Sequence, residues 1–91
     1  METIIQKTRE CHVCGRVTGL QRHHCIHGTA NRRLAEKYGL WVWLCGDCHR
    51  AVHGRTGHEL DIRLHQDAQK AFEAIQGGRD AFMAIFGKNW L

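Results

Sequence analysis

Two cysteine pairs, Cys11-x-x-Cys14 and Cys45-x-x-Cys48, constrain this chain more than any other feature. Each CxxC places two sulfurs about one ion, and four thiolates satisfy tetrahedral zinc. At 91 residues the chain makes a single domain, 1–91, short enough to need a staple beyond its own core. The interval between the pairs is 30 residues, longer than in a simple zinc ribbon, so a small module stands between the knuckles. Two disulfides or a redox CxxC are the alternatives. The cysteine count is odd, at five, and METIIQKTRE is charged and polar with no apolar stretch of the kind that opens a secretory leader. A thioredoxin-like site needs a βαβ pattern around it, which the chain does not offer. A structural zinc site and a cytoplasmic location are therefore the expectation. Cys25, the fifth cysteine, reads as a small buried hydrophobe beside Ile26. His12, inside the first knuckle, is expected to be exposed.

Glycine supplies all the punctuation, because proline is absent. Residues 1–10 read as extended and polar. Thr18 to Ile26 is a candidate strand, ended by His27-Gly28-Thr29. Thr29 or Asn31 is placed to cap a helix over Ala30 to Tyr38, which Gly39 stops. Leu40 to Leu44, with Trp41 and Trp43, reads as a buried strand, and one of these tryptophans as core. Asp47 begins a helix over Cys48 to His53. Leu60, Leu64, Ala68, Ala71, Phe72 and Ile75 recur at helical spacing, which predicts an amphipathic helix over 59–76. A last helix spans Arg79 to Phe86, with Phe82, Ile85 and Phe86 on one side and Trp90 pinning the tail. The expected fold is α+β: a finger core at about 11–54 holding four cysteines and a zinc ion, with a helical extension at about 59–91 packed on it. The longest apolar run, Leu40 to Cys45, is too short to cross a bilayer.

One metal site does not use eight histidines. His49 and His53 stand at i and i+4, so on a helix they share a face and grip one ion. His23, at a strand end, completes a set of three neutral imidazoles with coordination positions left open, the mark of a catalytic rather than a structural metal. His24 is then free to deprotonate water, with an ordinary pKa suited to a general base at neutral pH. His27 is a further candidate contact to phosphate or metal. His58 and His65 have no motif partner and read as surface histidines. The formal net charge of +4 fits a nucleic-acid partner.

The stretch Arg22-His23-His24-Cys25, followed by CGDCHRAVH from Cys45 to His53, resembles the HNH endonuclease motif of the ββα-metal superfamily. It is similar in particular to the zinc-stapled members, in which a CxxC pair brackets each side of the finger. The resemblance covers Cys11 to His53, about half of the chain. It implies a ββα-metal finger that hydrolyses DNA phosphodiesters, with His23, His49 and His53 as ligands of a catalytic divalent ion and His24 as the base. The family's asparagine, usually a few residues before the second CxxC, is missing from Gly39-Leu40-Trp41-Val42. Asn31 is the nearest candidate, and it either orients His24 or caps the helix. Arg22, Arg32, Arg33 and Arg50 are candidate phosphate contacts. Three imidazoles without a carboxylate favour Mn²⁺ over Mg²⁺, with Co²⁺ or Ni²⁺ also suitable. With one centre and no specificity domain, the expectation is a monomer that nicks duplex DNA with low sequence preference and has no membrane partner. The rivals are a non-enzymatic zinc-binding module for nucleic acid, and a small interaction protein that docks through its C-terminal helices.

Overall fold

Five consecutive aromatic, branched or thiol side chains, Trp41-Val42-Trp43-Leu44-Cys45, can all lose water only in a strand covered on both faces. They form β2 (Trp41–Cys45) at the centre of the computed structural model, which describes all 91 residues. β2 pairs antiparallel with β1 (Leu20–His24), with Leu20 opposite Cys45, His23 opposite Val42 and His24 opposite Trp41. The first strand is shorter at both ends than the expected Thr18 to Ile26. Beyond β1 the Cys25 N–H still reaches the Leu40 carbonyl at 3.1 Å, and Cys25 is fully buried.

The strands are joined by a helix, α1 (Thr29–Tyr38), rather than by a tight turn. Neither Thr29 nor Asn31 caps it. The cap residue is Gly28, and the Asn31 amide reaches back to the His27 carbonyl at 2.7 Å. At the other end Gly39 adopts the left-handed conformation, φ +71°, that ends helices, and the Leu40 N–H closes on the Ala35 carbonyl. A Cβ at Gly39 would also collide with the Glu2 carbonyl oxygen, so only glycine fits.

That collision point marks a role for the N-terminal residues that their polar composition did not reveal. They run along the outer edge of β2. The Trp43 N–H donates to Gln6 Oε1 at 2.7 Å, and the His12 N–H donates to the Trp43 carbonyl at 2.8 Å. The Thr3 hydroxyl donates to the Trp41 carbonyl, and the Trp41 indole donates to the Met1 carbonyl. Backbone groups of an edge strand that would otherwise face solvent are thus paired.

After β2 the chain turns at once into α2 (Gly46–His53), which begins two residues earlier than expected. The Cys45 sulfur caps it by accepting from the Cys48 N–H, and Asp47 sits in the first turn where the helix dipole favours a carboxylate. α3 (His58–Ile75) and α4 (Arg79–Phe86) complete an α+β chain of four helices and one two-stranded sheet. No helix is long and apolar enough to cross a membrane.

One continuous core runs from Cys11 through Leu40, Val42, Leu44 and Val52 to Leu64, Phe72 and Phe82. The buried stripe of α3 differs from the expected one. Leu64, Ala68 and Phe72 are buried, but Ile75 is exposed because it lies at the end of the helix, past the aromatic layer. His65 and Gln69 are buried in its stead, and His65 is therefore not a surface histidine. The C-terminal tail makes this affordable for two polar side chains. Trp90 stacks on the His65 ring at 3.9 Å, its N–H donates to Gln69 Oε1 at 2.7 Å, and Gln69 donates to Asn89. His12 is likewise half-buried rather than exposed, 3.1 Å from Asp67 on α3. Tyr38, Phe72, Phe82 and Phe86 form an aromatic layer between α1, α3 and α4.

Phe82 is fully buried in that layer, so Phe82→Ala is expected to cost about 3–5 kcal/mol, read from the denaturant midpoint of the zinc-loaded protein.

Candidate metal centre

The antiparallel pairing and the helix that follows it bring both sets of sequence-distant ligands together. Cys11 and Cys14 lie in the turn before β1. Cys45 ends β2, and Cys48 lies in the first turn of α2. Their four sulfurs all lie within 4.8 Å of one another, with Cys14 and Cys45 at 3.7 Å. The four cysteines are close enough to hold one metal ion, as a structural zinc site requires. None is in a disulfide. Burial pushes the Cys11 thiol up, but the backbone N–H groups of Cys45, Cys14 and Val13 aimed at its sulfur outweigh that and hold it at about 6. Such N–H groups stabilise a thiolate, which is the form that binds metal. Cys25 stands apart, where burial raises its thiol and leaves it inert.

The second candidate set lies where β1 meets α2. His23, His49 and His53 offer ring nitrogens that also lie within 4.8 Å of one another. The rings meet edge to face, 5.3 Å apart for His23 and His49 and 5.5 Å for His23 and His53. Two details fit a cation. His49 donates its Nδ1–H to Gln21 Oε1 at 2.5 Å, which leaves the Nε2 lone pair free, as for a metal-ligating histidine whose other nitrogen is held. His23 is 2% exposed, and its buried Nε2 has no hydrogen-bond partner. An orphaned buried nitrogen is costly unless something polar or cationic meets it. Burial, followed by the neighbouring imidazoles of His49, His27 and His53, drives the His23 ring down to about 3. It is therefore neutral at physiological pH, with its lone pair available.

The pocket beside this cluster has a volume of about 560 Å³ and is lined by Arg22, His23, His24, His27, Arg32, His49 and His53 among others. His24 stands on its wall, and its Nε2–H donates to Glu36 Oε2 at 2.7 Å. Asn31 does not reach His24, since its amide is engaged by the His27 carbonyl, so the residue that holds His24 is Glu36. Glu36 is itself held by Arg22, whose guanidinium donates to Oε1 at 2.7 Å and lies over the Trp41 ring at 4.0 Å. Of the four arginines, Arg22 and Arg32 line the pocket. Arg33 is exposed and does not line it, and Arg50 is turned to Asp47 in its own helix. Glu36 and Gln21 escaped the sequence reading because neither belongs to a spaced motif. Each meets its histidine only once α1 and α2 have packed on β1.

Removal of one thiolate tests the cysteine cluster. Cys45→Ser is expected to lower bound zinc from one ion per cysteine cluster to none and to loosen α2 with it, since the ion would no longer tie Cys48 in its first turn to the knuckle before β1. Metal analysis and far-ultraviolet circular dichroism read the two effects.

Comparison with protein-family models, with curated proteins and with solved structures gives no match to this chain.

Proposed function

We propose that this chain is a metal-dependent DNA endonuclease of the HNH type, in which β1, β2 and α2 form a ββα-metal finger stapled by zinc on Cys11, Cys14, Cys45 and Cys48. The observation that carries this reading is the convergence of His23, His49 and His53 around an orphaned nitrogen, with the adjacent His24 fixed by a carboxylate on the wall of the same pocket.

The roles follow from that arrangement. Adjacent residues of a strand face opposite sides, so His23 turns into the cluster while His24 faces the pocket wall. Glu36 holds the proton on Nε2 of His24 and so leaves Nδ1 as the basic nitrogen. That nitrogen takes a proton from a water molecule as its oxygen attacks phosphorus in line with the departing 3′ oxygen. His23, His49 and His53 would hold a divalent ion, which when bound would supply positive charge to the phosphodiester. Arg32 is free to grip a flanking phosphate, and Arg22 shares its charge between the pocket and Glu36. The resemblance to HNH enzymes implies 5′-phosphate and 3′-hydroxyl ends. One centre per chain implies nicking by a monomer. Three imidazole ligands imply Mn²⁺ in preference to Mg²⁺.

Supercoiled plasmid incubated with the zinc-loaded protein and Mn²⁺ is expected to turn into open circles. His24→Ala should slow this by about 10²–10⁴-fold with the metal content unchanged. Full activity in Mg²⁺ with none in Mn²⁺ would overturn the three-imidazole assignment. Retention of DNA without cleavage in any metal would leave a zinc-bearing binding module.

Glu36→Gln supplies a separate check on how His24 is held. It keeps the shape of the side chain but weakens the hold on the imidazole, and is expected to lower the nicking rate on the order of tenfold, as loss of a ligand-orienting partner does. Metal uptake should not change.

A further inference from the structure

We propose that His27, Asp61 and His65 form a second divalent-cation site next to the three-histidine cluster, with two imidazoles and one carboxylate as ligands. His27 lies in the loop after β1, and Asp61 and His65 stand one turn apart on the same face of α3, so the site joins the finger region to the helical extension.

The donor atoms of these three residues lie within 4.8 Å of one another. His27 Nε2 is 2.5 Å from Asp61 Oδ1. The His65 ring is 1% exposed and fixed on two sides. Its Nδ1–H donates to the Asp61 backbone carbonyl at 2.8 Å, and Trp90 stacks on its face. A backbone carbonyl on Nδ1 sets the tautomer that leaves Nε2 with its lone pair, the arrangement found behind metal-bound histidines. Only the long contact from the His27 N–H, at 3.4 Å, meets that nitrogen.

Histidine nitrogens with one carboxylate oxygen suit a borderline ion such as Zn²⁺ or Co²⁺ better than Mg²⁺. His27 also lines the pocket, so the site borders it at that residue. The His27 ring is 5.9 Å from His53 and 5.8 Å from His23, which sets the two candidate sites side by side but as separate donor sets.

The probe is Co²⁺, titrated into protein whose cysteine cluster already holds zinc, with metal per chain counted after removal of free ion. Wild type is expected to take up two Co²⁺ per chain. His27→Ala, at an exposed loop position, and Asp61→Asn should each take up one. The double variant His49→Ala/His53→Ala should also take up one, and its combination with His27→Ala none. Nitrogen-15 spectra of the histidine rings with Zn²⁺ give a second readout: the His65 signals should move in wild type and stay in place in His27→Ala. A single Co²⁺ in wild type that is retained by His27→Ala and by Asp61→Asn would overturn the second site, and so would two Co²⁺ retained by both variants. Loss of all Co²⁺ on His49→Ala/His53→Ala would show one shared ion and would also overturn it. Metal uptake is counted without any reaction, so failure here leaves the hydrolytic reading standing.

Discussion

The sulfur of Cys45 holds three parts of this molecule in register. It ends β2, it accepts the N–H that starts α2, and it belongs to the four-thiol cluster that ties the first knuckle to the second. A helix begun one residue later would turn its side chains by about 100°. His49 and His53 would then no longer face His23. The position of one capping atom therefore decides whether the histidine cluster exists, and a metal on that atom would fix the position far more firmly than the weak N–H···S contact alone.

The surroundings of His24 show a second kind of dependence. Trp41 supports Arg22 from below, Arg22 holds one oxygen of Glu36, and the other oxygen holds the imidazole. Three elements take part: β2 with Trp41, β1 with Arg22 and His24, and α1 with Glu36. The Glu36 carboxylate is shared between a guanidinium and an imidazole, and each partner limits the freedom that the other would leave it. The connecting helix between the strands is thus more than a link, because it delivers the carboxylate to the pocket.

Much of the architecture was legible because it is written in short-range spacing. Two residues between cysteines, three between His49 and His53, and the Leu64-Ala68-Phe72 stripe each place side chains together inside a single turn or helix. The features that were not legible rest on packing between distant segments. Glu36 reaches His24 and Gln21 reaches His49 only through tertiary contact. His65 and Gln69 are polar, and sequence alone sets them outside. Gln69 is buried because Asn89 and Trp90, some twenty residues later, satisfy its hydrogen bonds, and His65 because Trp90 covers its ring while the Asp61 carbonyl accepts its Nδ1–H. Asp61 and His65 are the exception, since their i,i+4 spacing on a helix is a visible pattern that carries meaning only once His27 is known to face it. The N-terminal cover of β2 left no signal, because Thr3 and Gln6 reach the backbone of β2 only through tertiary contact.

The 30 residues between the two knuckles also order the birth of the fold. At a synthesis rate of about 5–20 residues per second, Cys14 leaves the ribosome roughly 2–7 s before Cys48 follows it. Throughout that interval the nascent chain carries an exposed dithiol, open to oxidation or to any soft metal, and an unpaired β1. His23 emerges early as well, while its partners on α2 do not yet exist. The young polypeptide must therefore pass through a stage in which two of the four clustered cysteines and one of the three clustered histidines are exposed without their partners.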